Sequence, residues 1–519
     1  MPFSKTPTID TYQVVPVPFT GENITNFQGE SPVYVNCLPL IYDQLGGKTV
    51  RIVSRPIAYQ QPSATATNNL LGVGRTTDSD RGIIYYNSLF QRWQVPNTTI
   101  TTTLRETPRS TSVVCFESAY DFTTNREILV SYGPDRCVRT FTETTGKSFT
   151  NPADSGTTLT SLGYTLDGAI MQNQLKILDN IAFVALNNRI YNSNPGAYTT
   201  FVPANNFIFA EAQPDPIMSL NVHNNHLVAF STNTVEFFAN TGNQVGSPLS
   251  RQEAYQIDMG VWGNAQMKIG DNLYFIGQQD NQYAGIYEIT NFRPTKVSTS
   301  YIDNIATQGL VGVGQAAQIP CFTINLYGTL CPVFVLSKTV VYHPPSKQWF
   351  EMPLNINGTT FNPIYSVPSA NTSGITSQFN ILYGNNQVPI IIPNYPLSVN
   401  KSSTVENFTA SITVPALDYG NNYMKHFYKV DLIGSIDDIG TGYTPRVQLN
   451  YNKRMDYTQG YVATQALAPR TDTPAASMDI PLRWRNLGRG TRQSYQFVFT
   501  DIGNMNLERF DVYYNLGAR

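Results

Sequence analysis

Apolar positions in this chain come in short runs, and the runs come in pairs. A recurring unit of apolar strand, tight polar turn and second apolar strand is seen in "GIIYYNSLFQRW", "REILVSYGPDRCVRTF", "IAFVALNNRIYN", "LVAFSTNTVEFFANTG", "LYFIGQQDNQYAGIYEI", "PVFVLSKTVVYHPPSKQWF" and "ILYGNNQVPIII". The leading strands begin near Ile83, Ile128, Ile181, Leu227, Leu273, Val333 and Ile381, at spacings of 45, 53, 46, 46, 60 and 48 residues. Paired strands at a period near 45 are what propeller blades show, because each blade hides its faces against its neighbours. Asn187-Asn188 and Asn385-Asn386 suit the positive φ angles of hairpin turns. The pattern predicts an all-β chain with very little helix and a β-propeller-like repeat domain of about seven blades. The competing reading of the same hairpins is an irregular antiparallel sandwich.

After Ile392 the pattern changes. "PNYPLSVNKSST" has the composition of a boundary, and beyond it the strands alternate strictly: Val447, Leu449 and Tyr451; Tyr495, Phe497 and Phe499; Phe510, Val512, Tyr514 and Leu516. Alternation of period two marks sheets with one buried face, hence a C-terminal β-sandwich. The expected organisation is residues 1–45 as an N-terminal arm with first strands, 46–392 as the propeller, 393–403 as a linker and 404–519 as the sandwich.

Composition agrees with strands and turns: 13% charged residues, 12% aromatic, 36 Gly and 33 Pro. The net charge of −2 removes any general attraction for nucleic acid or an anionic membrane. Cys37, Cys115, Cys137, Cys321 and Cys331 are an odd set without CxxC spacing, which reads as core residues rather than a disulfide framework or a zinc site. No apolar run approaches the roughly 20 residues of a membrane helix, and "MPFSKTPTID" carries no apolar signal region, so a soluble product is expected.

Chemistry is sparse. No HExxH, GxSxG, P-loop, GxGxxG or EF-hand pattern occurs. "GVGR" at Gly72 and "GVGQ" at Gly312 read as turns, as do the acidic pairs Asp78 with Asp80 and Asp437 with Asp438. His223 and His226 flank a predicted surface turn with no third ligand. The expectation is no catalytic residue, no cofactor and no metal. "RWRNLGRGTRQ" gathers Arg483, Arg485, Arg489 and Arg492 in one hairpin, able to meet DNA phosphates or a neighbouring chain's carboxylates, or simply to line a solvent face.

One stretch departs from the β pattern. In "NFRPTKVSTSYIDNIATQ" the residues Ile302, Ile305 and Ala306 share a helical face, and Ser300 with Asp303 are read as its capping box. The surrounding "IYEITNFRPTKVSTSYIDNIA" resembles a motif of the tail nozzle, or packaged-DNA stabilisation, proteins of short-tailed bacteriophages. "NTVEFFANTG", "VVYHPPSKQWFEM", the ending "LRWRNLGRGTRQSYQFVFTD" and, more weakly, "VNCLPLIYDQLGGKTVRIVSRPI" are similar to further parts of that family, in family order. Thr140–Gln174 and Gly309–Cys331 match nothing in it.

The resemblance implies a virion structural protein assembled in the host cytoplasm: a homohexameric ring below the portal and a tail adaptor, bearing fibre or spike proteins, holding packaged double-stranded DNA and conducting it at ejection. The four arginines are then expected at a subunit interface, and the two unplaced segments are the expected channel constriction. The alternative from another class is a propeller lectin or glycosidase acting on cell-surface sugars, which the many Tyr and Asn side chains suit.

Overall fold

The computed structural model describes residues 13–516 except 19–31, 45–46, 61–69, 76–80, 87–88, 95–98, 107–113, 123–124, 134–136, 143–172, 203–205, 211, 214, 244–245, 279–283, 315–317, 357, 370–378, 385–386, 397–405, 420–422, 439–445, 453–460, 467–476 and 480–481. The chain divides into two compact units, one of residues 58–342 with 359–394, the other of residues 1–57, 343–358 and 395–519.

The first unit is a propeller. Seven groups of successive antiparallel strands follow one another, with innermost strands Leu70–Arg75, Cys115–Asp121, Leu175–Leu178, Ile217–His223, Gly260–Ile269, Cys321–Leu326 and Pro363–Ser369. Each innermost strand packs beside the next, and Pro363–Ser369 returns to Leu70–Arg75, so the ring is closed. The seventh sheet is completed by Tyr59–Gln60, which pairs antiparallel with Ile390–Pro393. Both ends of the unit therefore share one sheet.

The apolar runs that set the period begin the second strand of each blade, not the first: Ile128, Ile181, Leu227 and Leu273 all lie one strand outward from the axis. Those second strands are buried on both faces. Ile181, Phe183 and Ala185 join Leu220, Leu227 and Ala229 of the next blade, while Ala182, Val184 and Leu186 join Ile128, Val130 and Tyr132 of the preceding one. Val228 and Phe230 pack in turn on Leu273 and Phe275. Each such side chain withdrawn from water contributes about 1.5–3 kcal/mol, and the layers repeat around the ring. The tight turns take Asn at positive φ, at Asn180, Asn187, Asn224 and Asn225. Asn385-Asn386 lies outside the described residues.

The second unit is the sandwich. In one sheet Ile502–Leu516 pairs with Lys425–Asp438 and, on its other side, with Gln13–Pro18 and Gly47–Ser54. In the other, Gln493–Thr500 lies between Thr409–Leu417 and Arg446–Asn452, and Val33–Val35 joins Thr409–Leu417 to Gln348–Glu351. Trp484, Phe497, Tyr495 and Phe510 form the aromatic centre between the sheets, with ring centroids 5.3–5.9 Å apart. Residues 46–57 and 343–358 thus group with the sandwich, where the sequence reading places them in the propeller. The physical reason is strand pairing: Gly47–Ser54 and Gln348–Glu351 have partners in the sandwich sheets.

Arg55 shows how distant segments are tied. Its guanidinium is fully buried, donates to Asn36 Oδ1 at 2.8 Å, Pro56 O at 2.9 Å and Pro353 O at 3.2 Å, and pairs with the equally buried Glu406. It also lies 5.2 Å over the Phe408 ring. Four of its five N–H donors have a named partner, which helps a buried ion pair to be tolerated.

Candidate functional site

The innermost strands of six successive blades surround a cavity of about 320 Å³ on the propeller axis, reached by Cys115, Lys176, Asn221, Gln266, Lys268, Cys321, Thr323 and Ser366 among others. Amide side chains stitch the inner strands together. Asn221 Nδ2 donates to Gln266 Oε1, and Gln266 Nε2 donates to Leu220 O at 3.0 Å, joining the fourth blade to the fifth. Ile319 N donates to Asn264 Oδ1 at 2.7 Å, joining fifth to sixth. Asn325 N donates to Asn380 Oδ1 at 2.7 Å and Asn380 Nδ2 returns to Asn325 O at 2.8 Å, joining sixth to seventh. Buried amides with both ends satisfied fix the blades' relative register, which gives the chain's many Asn and Gln residues a structural role.

Two lysines reach the cavity lining. Lys176 is paired with Glu117, and Lys268 stands exposed at the lining. Burial pushes the Cys115 and Cys321 thiols up to about 12, so neither supplies a thiolate near neutrality.

The helix, Ser300–Leu310, bridges two blades. Ile302, Ile305, Ala306 and Leu310 are buried as their spacing predicts. The cap is Thr299, not Ser300: its Oγ1 accepts from Ile302 N at 3.4 Å, and Ser300 is the first helical residue. Asp303 does not reach back to a free backbone N–H; it accepts from Lys296 Nζ at 2.7 Å and from Ser298 Oγ, whose oxygen in turn accepts from Ile286 N of the fifth blade. On the far side Ser337 Oγ of the sixth blade donates to Ile305 O at 3.0 Å. A Cβ on Gly309 would lie 2.6 Å from Ser337 N, so glycine is what lets helix and turn meet.

Residues 192–324 match the protein-family model Phage_stabilise, described as bacteriophage P22 Gp10, β-propeller. The matched region runs from the third blade to the innermost strand of the sixth and contains the bridging helix and "NTVEFFANTG". Over those residues it supports likeness to a phage β-propeller. The search of curated proteins returns no match. Among solved structures, the N-terminal domain of Nup159 is similar at a TM-score of 0.39 and 11% identity over 66% of this chain and 95% of that one. BBS1N, solved in complex with ARL6DN, is similar at 0.37 and 10% over 67% of this chain and 100% of that one.

Set beside that match, the other candidate residues divide cleanly. Of the arginines, Arg483 is held by Asp431 through a two-pronged pair at 2.8 and 2.9 Å, Arg485 and Arg489 are exposed on the same strand, and Arg492 is half-buried beyond it. His223 and His226 do flank an Asn-Asn turn, but His223 is buried rather than at the surface, edge-on to Phe292 at 5.2 Å, and burial lowers its pKa. Asp78 and Asp80, like the side chains of Asp437 and Asp438, lie outside the described residues. Among the described residues no three His, Cys, Asp or Glu side chains gather as metal ligands, and no helix is long and apolar enough to cross a membrane.

Gly309–Cys331 is not the loop expected of a constriction: it holds the end of the helix and then the sixth innermost strand, Cys321–Leu326. Thr140–Gln174 is described only at its two ends. Sequence reasoning missed Thr299, Arg55 and the buried carboxylates Asp215 and Glu236. Asp215 accepts from Asn233 N at 2.6 Å and Thr232 Oγ1 at 3.2 Å, holding a blade turn. A Ser-Thr-Ser run left three hydroxyls eligible as the cap, and no local pattern signals the other three.

Proposed function

We propose that this protein is a virion structural component of a short-tailed phage, a tail nozzle or hub ring that extends the portal and adaptor channel, retains packaged DNA and conducts it at ejection. The observation that carries this reading is the match of residues 192–324 to a phage stabilisation propeller. The propeller acts in it as a rigid, non-catalytic module, its blades locked by buried amides and the bridging helix. The propeller's own axis is not the DNA path. A cavity of about 320 Å³ has room for about ten water molecules at roughly 30 Å³ each, far less than a duplex needs. The conduit therefore lies between copies arranged around a common axis, a homohexamer in this reading, with adaptor above and fibre or spike proteins at the side. In this reading the lining is polar or acidic, and retention falls to a constriction for which Thr140–Gln174 is the first candidate.

Native mass measurement of purified protein, alone and with tail adaptor, tests the reading: closed rings are expected. A monomer whose melting temperature rises with cell-surface sugars, or which hydrolyses them, replaces it with the lectin or glycosidase reading.

A further inference from the structure

We propose that the outward face of the sandwich sheet built from Lys425–Asp438, Leu482–Gly490 and Ile502–Leu516 is a docking surface for an acidic surface on a second copy of this chain. The inference rests on the ring reading and names the surface that closes the ring.

Register sets the face. Arg483, Asp431 and Asp511 lie abreast on the three strands; so do Arg485, Lys429 and Tyr513; so do Arg489, His426 and Asn515. Partners abreast in an antiparallel sheet point to one side, and the residues between them, Leu432, Val430, Trp484, Phe510 and Val512, are buried in the sandwich core. The face thus carries Lys429, Arg483, Arg485, Arg489 and, beside Asp511, Arg509, against the carboxylates Asp431 and Asp511. Among its described side chains these five cations stand against two anions in a chain of net charge −2, so the face is more basic than the chain as a whole.

Two further features favour a protein over a polyanion. The carboxylates are built into the face: Asp431 draws both Arg483 and Lys429, and Asp511 takes Arg509 at 3.0 Å. Such a mosaic repels evenly spaced phosphates where it meets a patterned protein surface. Beside the arginines Val14 is exposed, abreast of Tyr513, and Tyr423 and Met424 are exposed just before the strand Lys425–Asp438. Tyr, Met and Arg around a small apolar patch is interface composition. The strand Leu482–Gly490 is bonded on one side only among the described residues. A basic face meeting an acidic face elsewhere on an identical chain is a head-to-tail contact, which closes into a ring when the rotation permits.

The test uses the full chain, followed by sedimentation and native mass measurement at about 0.05 and about 0.5 M salt, where screening differs severalfold. The wild type is expected to assemble at low salt and weaken at high salt. Arg485→Glu with Arg489→Glu is expected to raise the concentration needed for assembly by about tenfold or more, with Arg485→Lys and Arg489→Lys retaining most of it. Unchanged melting of the charge-reversed variant shows that the fold is intact. Assembly of that variant like the wild type overturns the docking surface and leaves the ring reading standing. A wild type that stays monomeric at every concentration sinks both. Duplex DNA bound by the wild type and lost in the variant, with assembly unchanged, gives the face to nucleic acid and overturns the proposal.

Discussion

The propeller and the sandwich solve the same problem, hiding strands from water, with opposite uses of chain distance. In the propeller strands pair with near neighbours in sequence and a blade packs on the next, and the unit's two ends meet where Tyr59–Gln60 pairs with Ile390–Pro393 and Leu70–Arg75 packs on Pro363–Ser369. In the sandwich the defining contacts are remote. Asn36 Nδ2 reaches Thr409 O at 2.8 Å, Cys37 Sγ reaches Ser411 O at 3.3 Å, and Arg55 joins Asn36, Pro353 and Glu406. Repetition lets apolar layers, with the amides that join neighbouring blades, specify the propeller, since every register error repeats a penalty in the adjoining blades. The sandwich has no repeat to enforce its register, and a buried ion pair with one geometry serves that purpose.

The largest expected effect breaks that lock. Arg55→Ala leaves the Glu406 carboxylate buried without its cation and is expected to cost about 3–5 kcal/mol. Hydrogen exchange locates the loss: amides of Gln493–Thr500 should exchange faster while those of Ile181–Leu186 hold their protection. Replacing both partners, Arg55→Met with Glu406→Leu, should recover much of it, because two apolar side chains leave no unpaired charge. Equal loosening of blade strands and sandwich strands by Arg55→Ala contradicts the division of labour drawn above.

What the sequence disclosed follows the same line. The period was legible because the second strand of each blade is apolar on both faces, as in Ile181–Leu186. The innermost strands were not, because they alternate core residues with cavity-facing Asn221, Gln266 and Lys268, so no continuous apolar run marks them. Alternation in Tyr495, Phe497 and Phe499 announced a one-sided sheet but not its members. A strand's pattern says which face is buried, not which sheet it joins, so Gly47–Ser54 and Gln348–Glu351 were assigned by position along the chain. The bridging helix was visible from spacing, and its cap was misplaced by one residue. The arginine hairpin was visible too, whereas the withdrawal of Arg483 by Asp431 depends on a strand some fifty residues earlier.

Acidification sharpens the comparison at the next scale. His343 is buried, with Nδ1 2.8 Å from Ser346 Oγ, and burial pushes its pKa down to about 4 from the ordinary 6.5. A folded pKa below the unfolded one means that the unfolded chain takes the proton first. The contribution is whole above about pH 6.5 and falls as pH drops toward 4, by roughly 3 kcal/mol in all. His343 groups with 343–358 but is the last residue of the blade strand Thr339–His343, so the loss is expected at the end of that strand. In the propeller His223, lowered by burial, pulls the same way, but Asp215 and Glu236 are raised by burial and gain protons on folding as pH falls, which opposes it. Exchange measured from pH 7 to 4 should show the amides of Thr339–His343 losing protection before those of Ile181–Leu186, and His343→Gln should flatten the difference. Parallel weakening of both, unaffected by that substitution, removes His343 from the account.

The smallest effect concerns the one place where the propeller departs from repetition. The helix Ser300–Leu310 is held at its start by Thr299, along its side by Asp303 with Ser298 and Lys296, and at its end by the close approach of Gly309 to Ser337. Thr299→Ala removes one hydroxyl acceptor from a helix N-terminus and is expected to cost about 1 kcal/mol. Ser300→Ala changes a first-turn side chain that caps nothing, within about 0.5 kcal/mol of neutral. The contrast matters more than either value, because neighbouring hydroxyls in "STS" differ only in which one the backbone turns inward at the cap. Amide exchange at Ile302, whose N–H is the one satisfied by Thr299, reads it directly: faster in Thr299→Ala and unchanged in Ser300→Ala. The reverse order would return the cap to Ser300, and the helix would then begin a residue later than its hydrogen bonds place it.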